Sequence, residues 1–183
     1  MAASFDLLSS AYVSSNTTSI NFSSISQAYD DLYFLYAGKC NVANLSGREL
    51  TVTFNNITSQ YYFSGGIIKD GSQTGHTGTQ SVYAAKLGKC VPSRGNYNYY
   101  PNNLGVCELW LNEYSTSGKQ ATGMFSSGGH ADNPNATGYT YAAIGGISTN
   151  QNFTAAITQV TFACEGYSFE PGTKIWMYGL KSS

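Results

Sequence analysis

The sequence predicts an all-β protein, an antiparallel two-sheet sandwich of jelly-roll-like type. Almost every apolar segment of the 183-residue chain is short and is bounded by Gly, Ser or Asn. In several of these segments apolar and polar residues alternate, and no window shows a convincing helical period. Short strands at regular spacing, with no helices between them, are typical of sandwiches and jelly rolls.

Ten segments have the β-branched and aromatic content of strands. They are Ser19–Phe22, Asp31–Ala37, Glu49–Asn55, Gln60–Phe63, Ser81–Leu87, Val106–Tyr114, Thr122–Ser126, Thr140–Ile147, Ala156–Cys164 and Lys174–Leu180. The alternation is plain in the third segment, where Leu50, Val52 and Phe54 are separated by threonines. Such alternation indicates strands that bury one face.

The two ends of the chain are predicted to differ. Near the C-terminus a Pro171-Gly172 turn precedes the run Ile175-Trp-Met-Tyr178. A terminus normally frays unless it is tied down, so we expect Lys174–Leu180 to be the last strand of a sheet, packed into the core. Residues 1–18 are polar and weakly periodic, and we interpret them as an N-terminal arm that orders on docking. Residues 19–183 then form a single β-sandwich domain.

Three long connections separate the predicted strands. They are Gly65–Gly78, Lys89–Asn103 and Ser127–Gly138, each rich in Gly, Asn or Ser. Loops of this length in a compact domain are usually functional or mobile.

The low charge of the chain excludes two classes of partner. Only 10% of residues are charged, against about 25% in an average domain, and the net charge is −1. A phosphate-binding surface needs a surplus of Lys and Arg, and so does an anionic membrane surface. We therefore expect neither nucleic acid nor membrane as a partner. The N-terminus lacks a basic region and a long apolar core, so no secretion signal is expected.

The tyrosine content allows two interpretations. The chain has 15 Tyr residues, and Tyr supplies stiff contact area with a polar tip at interfaces. This composition suits a protein that contacts other subunits. Tyr also favours strands, so it equally suits a Tyr-rich sandwich without that role.

The cysteines do not indicate a metal site. Cys40, Cys90, Cys107 and Cys164 are widely spaced and form no CxxC pair, whereas zinc ligands cluster. We expect the thiols at positions 40, 107 and 164 to be buried and unbridged, acting as small core residues. One or two disulfides become possible if the protein acts outside a cell.

No constellation of residues predicts catalysis. His76 and His130 each lie in a Gly-rich stretch, and the chain has no GxSxG motif. Glu108 and Glu113 share one predicted strand but are an odd number of residues apart, so they point to opposite faces. A glycosidase needs paired carboxylates. The sequence therefore predicts a protein without catalytic residues, cofactor or metal, and not an enzyme.

The segment Arg94–Pro101 contains the residues that best fit a binding site. Aromatic faces and amides grip sugars or protein surfaces, and this segment supplies both beside an arginine. The candidates are Arg94, Tyr97, Asn98, Tyr99 and Tyr100. The alternative is that the tyrosines only pin the loop to its own domain.

Four short segments, in order, carry a resemblance to a known family. They are Ser19-Ile-Asn-Phe-Ser-Ser-Ile25, Tyr29-Asp-Asp-Leu-Tyr-Phe-Leu35, Leu50-Thr-Val-Thr-Phe-Asn55 and Gly172-Thr-Lys-Ile-Trp-Met-Tyr-Gly-Leu180. Together they resemble a family of β-sandwich domains in tailed-bacteriophage virion proteins, over residues 18–181. Members of that family occur on virion surfaces and in tail fibres. The segment Asn55–Tyr62 is a looser version of the family's Asn-Tyr motif, and the resemblance supplies no catalytic residues.

The resemblance implies a non-enzymatic virion structural protein. A lone domain that starts at Met1 leaves no room for a fibre shaft, so we expect a capsid decoration (cement) protein bound in many copies to the outer shell. Its expected partners are the major capsid protein or other virion subunits. It is expected on the surface of the head or tail after synthesis in the host cytoplasm, as a homo-oligomer for which a trimer is plausible by analogy.

Two alternatives stay open at this point. One is a receptor- or carbohydrate-binding module of a tail fibre or tail tip, with host surface glycan as its partner. The other is a hydrolase acting on that glycan.

Overall fold

The computed structural model describes residues 4–41, 48–58, 61–69, 72–82, 84–92, 104–131, 139–149 and 153–181. These residues form twelve strands and no helix. The strands are β1 (Ser4–Tyr12), β2 (Ser19–Phe22), β3 (Asp31–Cys40), β4 (Arg48–Phe54), β5 (Tyr61–Lys69), β6 (Ser72–Val82), β7 (Ala85–Pro92), β8 (Gly105–Asn112), β9 (Thr122–Ala131), β10 (Tyr139–Thr149), β11 (Val160–Cys164) and β12 (Lys174–Lys181).

The strands form two packed antiparallel sheets, which confirms the predicted all-β sandwich. The large sheet has the order β1-β12-β3-β8-β9-β10-β5-β6, and the small sheet has the order β2-β11-β4-β7. A short parallel pairing of Lys39–Cys40 with Val91–Pro92 joins the sheets at one corner. Most connections cross between the sheets, because only the β5–β6, β8–β9 and β9–β10 connections stay within one sheet.

The core lies between the sheets and is rich in aromatic rings. Phe34 of the large sheet meets Phe22 and Phe162 of the small sheet, with ring centroids 5.7 and 5.2 Å apart and edge-on geometry. All three rings are buried. Edge-to-face pairs of this kind contribute about 0.5–1.5 kcal/mol beyond their buried area. The three rings therefore fix how the two sheets stack.

The closing strand is confirmed as a core strand. β12 lies between β1 and β3, so both of its edges are hydrogen-bonded. Ile175 and Met177 point inward and are buried. The turn before it contains Gly172 at φ 92°, a backbone conformation that suits glycine. Its backbone N–H donates to the Val13 carbonyl oxygen at 2.9 Å, which joins the two ends of the described chain.

The N-terminal residues are a strand where the sequence predicted an arm. Within the predicted arm of residues 1–18, β1 pairs with β12 along its whole length. A bulge between Leu7 and Ser9 shifts the register, so the alternation of the first half is out of phase with that of the second. This shift explains why the sequence shows no clear period there.

All three of the predicted long loops contain strand residues. Residues 65–69 and 72–78 of the first lie in β5 and β6, residues 89–92 of the second lie in β7, and residues 127–131 of the third extend β9. Glycine is needed there because the strands approach closely: a β-carbon added at Gly145 would lie 2.9 Å from the Gly65 α-carbon and from the Phe125 ring. Gly65, the first glycine of the predicted Gly65–Gly78 loop, is thus a packing residue. Residues 132–138 lie outside the described part.

The expectation of unbridged thiols is wrong for two of the cysteines. Cys40 and Cys164 form a disulfide with α-carbons 6.6 Å apart, although 124 positions separate them in sequence. Each is the last residue of its strand, β3 and β11, and both are buried. The bond therefore ties the large sheet to the small one. Cys107 is buried, with its sulfur 3.9 Å from the Leu87 carbonyl oxygen.

Asn55, which directly follows β4, has a structural role. It has φ 50°, in the left-handed region that asparagine tolerates better than most residues. Its side-chain oxygen accepts from the backbone N–H groups of Thr158 and Gln159 at 2.8 and 3.0 Å, and its amide donates to the Ala156 carbonyl at 2.8 Å. Asn55 thereby fixes the approach to β11.

Candidate interaction surface

The outer face of the large sheet carries apolar and aromatic side chains where polar ones are expected. An antiparallel sheet packed on one side usually presents polar residues to water on the other. We call this side of the sheet the outer face. It consists of the outward-facing residues of β1, β12, β3, β8, β9, β10 and β5. The small sheet follows the usual rule, with Asn21, Thr53 and Thr161 on its outer side.

Four aromatic rings form a cluster at one end of the outer face. Tyr178, Tyr33 and Trp110 are directly opposite one another on β12, β3 and β8, and the Tyr33 and Trp110 centroids are 4.7 Å apart. Phe5 of β1 stacks on Tyr178 at 4.7 Å and lies 5.3 Å from Tyr33. Phe5 is nevertheless 49% exposed. The cluster is therefore rigid but open to a partner.

Apolar side chains continue from this cluster across the sheet. Met124 of β9 is opposite Trp110 and is 64% exposed, and Ile144 of β10 is 70% exposed. Among the strand residues whose side chains the structure describes, every exposed large hydrophobic one is on this face. They are Phe5, Leu7, Tyr12, Tyr62, Ile68, Val106, Met124 and Ile144. Scattered apolar residues are normal on a surface, but a contiguous apolar patch marks an interaction site.

Glu108 places a single carboxylate near the middle of the outer face. It is directly opposite Leu35 and Ser126, and Ser126 Oγ donates to Glu108 Oε2 at 3.3 Å. Tyr33 also forms a hydrogen bond with this carboxylate. On the described strands of the outer face, the other charged residues, Asp31, Lys39 and Lys174, lie toward the ends of the strands.

Two shallow depressions flank Glu108. One has a volume of about 390 Å³ and is lined by Trp110, Met124 and Ile144. The other has a volume of about 500 Å³ and is lined by Leu35 and Val106. Each combines apolar walls with the Glu108 carboxylate and the Ser126 hydroxyl.

Burial, and then the hydrogen bond with Glu108, raise the pKa of Tyr33 to about 12 from 10.0. Below pH 10 the phenol is protonated in both the folded and the unfolded chain. Between pH 10 and 12 the unfolded chain loses this proton and the folded chain keeps it, so the free energy of unfolding falls. We expect this fall to be shallower in Tyr33→Phe, as measured by urea unfolding at intervals of pH. Equal slopes in the two proteins would contradict the assignment.

The carboxylates considered for catalysis are separated in the structure. Glu108 lies on the outer face, while Glu113 follows the end of β8 at φ 47° and pairs with Lys119, Oε2 to Nζ, at 2.7 Å. Within the described residues, no group of three or more His, Cys, Asp or Glu could hold a metal ion. The backbones of His76 and His130 lie in β6 and β9, not in loops.

The binding residues predicted from sequence lie outside the described residues. These are Arg94, Tyr97, Asn98, Tyr99 and Tyr100, and the strand before them, β7, ends at Pro92. Their role stays a prediction. The outer face was not among the sites predicted from the sequence. The available signal was the presence of large apolar residues at the solvent-facing positions of Asp31–Ala37, Val106–Tyr114 and Lys174–Leu180.

The fold and this surface define a β-sandwich with one exposed aromatic sheet face. No protein-family model, curated protein sequence or solved structure matches the chain. No helix in the described part of the chain is long and apolar enough to cross a bilayer.

Proposed function

We propose that the protein is a non-enzymatic structural subunit that docks on neighbouring subunits through its outer face. The observation that carries this proposal is the segregation of exposed apolar side chains. Among the strand side chains that the structure describes, they all lie on one side of one sheet, while the small sheet presents Thr and Asn. Such segregation has no benefit for an isolated domain, because exposed apolar area lowers solubility.

The residue types of the outer face suit a protein interface. Tyr, Trp and Met are enriched at interface cores, and Lys and Asp are depleted there. Both tryptophans of the chain, Trp110 and Trp176, are half-buried at outward positions of the large sheet. Tryptophan and tyrosine are also frequent hot-spot residues. The outer face thus has preformed anchors that lose little side-chain freedom when they are covered.

The resemblance of the chain to virion β-sandwich domains supports the proposal that the subunit belongs to a virus particle. We propose that the particle is a tailed-bacteriophage virion and that the protein is a capsid decoration protein, bound in many copies to the major capsid protein at the head surface. The buried Cys40–Cys164 disulfide agrees with a protein that acts after release, because such bonds persist in oxidising surroundings.

Copy number tests this proposal. Virions of the phage that encodes the chain are purified, and the protein is quantified by mass spectrometry against the major capsid protein. We expect a copy number of the same order as that of the major capsid protein, and we expect the purified protein to co-sediment with capsids. A few copies per particle, or release of reducing sugar from host polysaccharide by the purified protein, would contradict it.

The second candidate is a receptor- or carbohydrate-binding module of a tail fibre or tail tip. The depression beside Trp110 favours it, because the Trp110 ring can stack on a sugar while the Glu108 carboxylate accepts hydrogen bonds from the sugar hydroxyls. The predicted tyrosine loop would add further contacts. Replacing Tyr97, Tyr99 and Tyr100 by Ala should abolish binding to host cells in this case, and should leave capsid binding intact if the protein decorates the head.

A further inference from the structure

We infer that two copies of the chain pair through the edge strand β6, about a twofold axis perpendicular to the large sheet. An edge strand presents a row of N–H and C=O groups that can pair with another chain. Among the described residues β6 pairs only with β5, so its other side is the end of the large sheet. This inference goes beyond the docking role and uses a different part of the molecule.

The other edges have the protections that proteins place on exposed strands. β1, at the opposite end of the large sheet, carries Asp6 and is interrupted by the bulge between Leu7 and Ser9. β2, at the edge of the small sheet, has only four residues. Charges, bulges and short length each discourage pairing with another chain.

β6 lacks these protections over most of its length. It has 11 residues, SQTGHTGTQSV, with no Lys, Arg, Asp, Glu or Pro. Its register against β5 is regular from Ser72 to Gly78, and the one irregularity comes after that stretch. Seven consecutive residues are thus available as a regular, uncharged edge.

A second copy fits this edge better than an unrelated segment. In an antiparallel pairing about a twofold axis, residues near the axis are opposite their own copies, so any charge there would face a like charge. β6 avoids this cost because its central residues are Gly, His and Thr. Thr77 is the midpoint of the whole strand Ser72–Val82 and lies inside its regular stretch, so a pairing that uses the full strand places this position close to the axis.

The twofold symmetry also affects docking through the outer face. This step alone rests on the proposed function. A twofold axis perpendicular to the sheet leaves each face of the sheet on the same side in both copies. The two outer faces would therefore form one continuous surface, with both aromatic clusters directed toward the same partner. Two linked contacts hold far more firmly than one, because the second forms at high effective concentration.

The mass of the purified full-length chain in solution tests the pairing. We expect sedimentation and light scattering to give a dimer, and we expect Thr77→Lys to raise its dissociation constant on the order of 100-fold, because like charges at the axis cost several kcal/mol. The matched control is Ser10→Lys, the same change on the exposed edge strand β1, which should remain dimeric. A monomeric or trimeric wild type, or a dimer lost through Ser10→Lys, would overturn the inference.

A cysteine variant keeps the test decisive if Thr77→Lys fails to fold. Under mild oxidation Thr77→Cys should form an intersubunit crosslink through that position, located by peptide mass spectrometry, while Ser10→Cys should not. Crosslinking through Ser10→Cys instead would place the contact at β1 and refute a β6 interface. A copy number that contradicts virion decoration would leave this result unchanged, so the two proposals fail separately.

Discussion

Replacing both Cys40 and Cys164 by serine is expected to lower the free energy of unfolding by about 4–5 kcal/mol. The disulfide closes a loop with a sequence separation of 124, so it removes a large conformational entropy from the unfolded chain. Domains of this kind have a total stability of only about 5–15 kcal/mol. The loss should be visible in chemical denaturation as a shifted midpoint, with the double variant no longer sensitive to reductant.

The matched control is Cys107→Ala, which removes a buried thiol and leaves the crosslink in place. We expect it to cost about 1 kcal/mol, the typical effect of a small core change, and to retain the sensitivity to reductant. Thiol alkylation of the unreduced, denatured protein provides a direct check. Alkylation of Cys40 and Cys164 in wild-type protein taken from virions would show that the bond does not form in the particle.

The strands that the sequence predicts well are those with a clean inward phase. β3, β8 and β12 have buried residues at every second position, and their alternation is visible because burial selects the residue at each inward site. β1 was missed because its bulge breaks this phase. β6 was missed because its sequence, SQTGHTGTQSV, is mostly Gly, Thr and other polar residues. It therefore shows no alternation of apolar and polar side chains. The pair Asp70-Gly71 between β5 and β6 is a hairpin signal, and it favours two strands over the predicted Gly65–Gly78 loop.

The disulfide could not be predicted from spacing. Four cysteines allow three pairings, and the proximity of residues 40 and 164 depends on how β3 and β11 are placed in different sheets. Phe169 lies at the same junction, where its backbone forms an isolated antiparallel β-bridge with Cys40. Strand order depends on the whole chain. The residues next to either cysteine therefore do not indicate that the two cysteines are close in space.

The candidate surface was only partly visible in the sequence. Alternation assigns Trp110 to the side of its strand opposite Cys107 and Leu109, and this assignment is correct. What the sequence does not give is the neighbourhood, because Tyr33, Met124 and Phe5 come from strands far apart in the chain. Only the strand order β1-β12-β3-β8-β9 brings them together. The contiguity that distinguishes a patch from scattered residues is therefore a structural result.

Introducing a carboxylate at Met124 is expected to raise the dissociation constant for docking of the outer face about 100-fold. This change corresponds to about 3 kcal/mol, the typical loss when a hot-spot contact is removed. Met124 is opposite Trp110 and 64% exposed. Met124→Glu should therefore fold normally, because the new charge is hydrated in the isolated protein. On docking, the charge would lose its water without gaining a partner, and that desolvation cost opposes binding.

Ser19→Glu provides the matched control, since it adds the same charge at an exposed strand position on the small sheet, on the other side of the sandwich. Its docking to capsids should equal that of wild type. Tryptophan fluorescence gives a second measurement, because Trp110 and Trp176 both face outward on the large sheet and should become less exposed when it is covered. If Met124→Glu binds capsids as tightly as Ser19→Glu, with the same fluorescence change, the outer face is not the docking surface and its apolar character needs another cause.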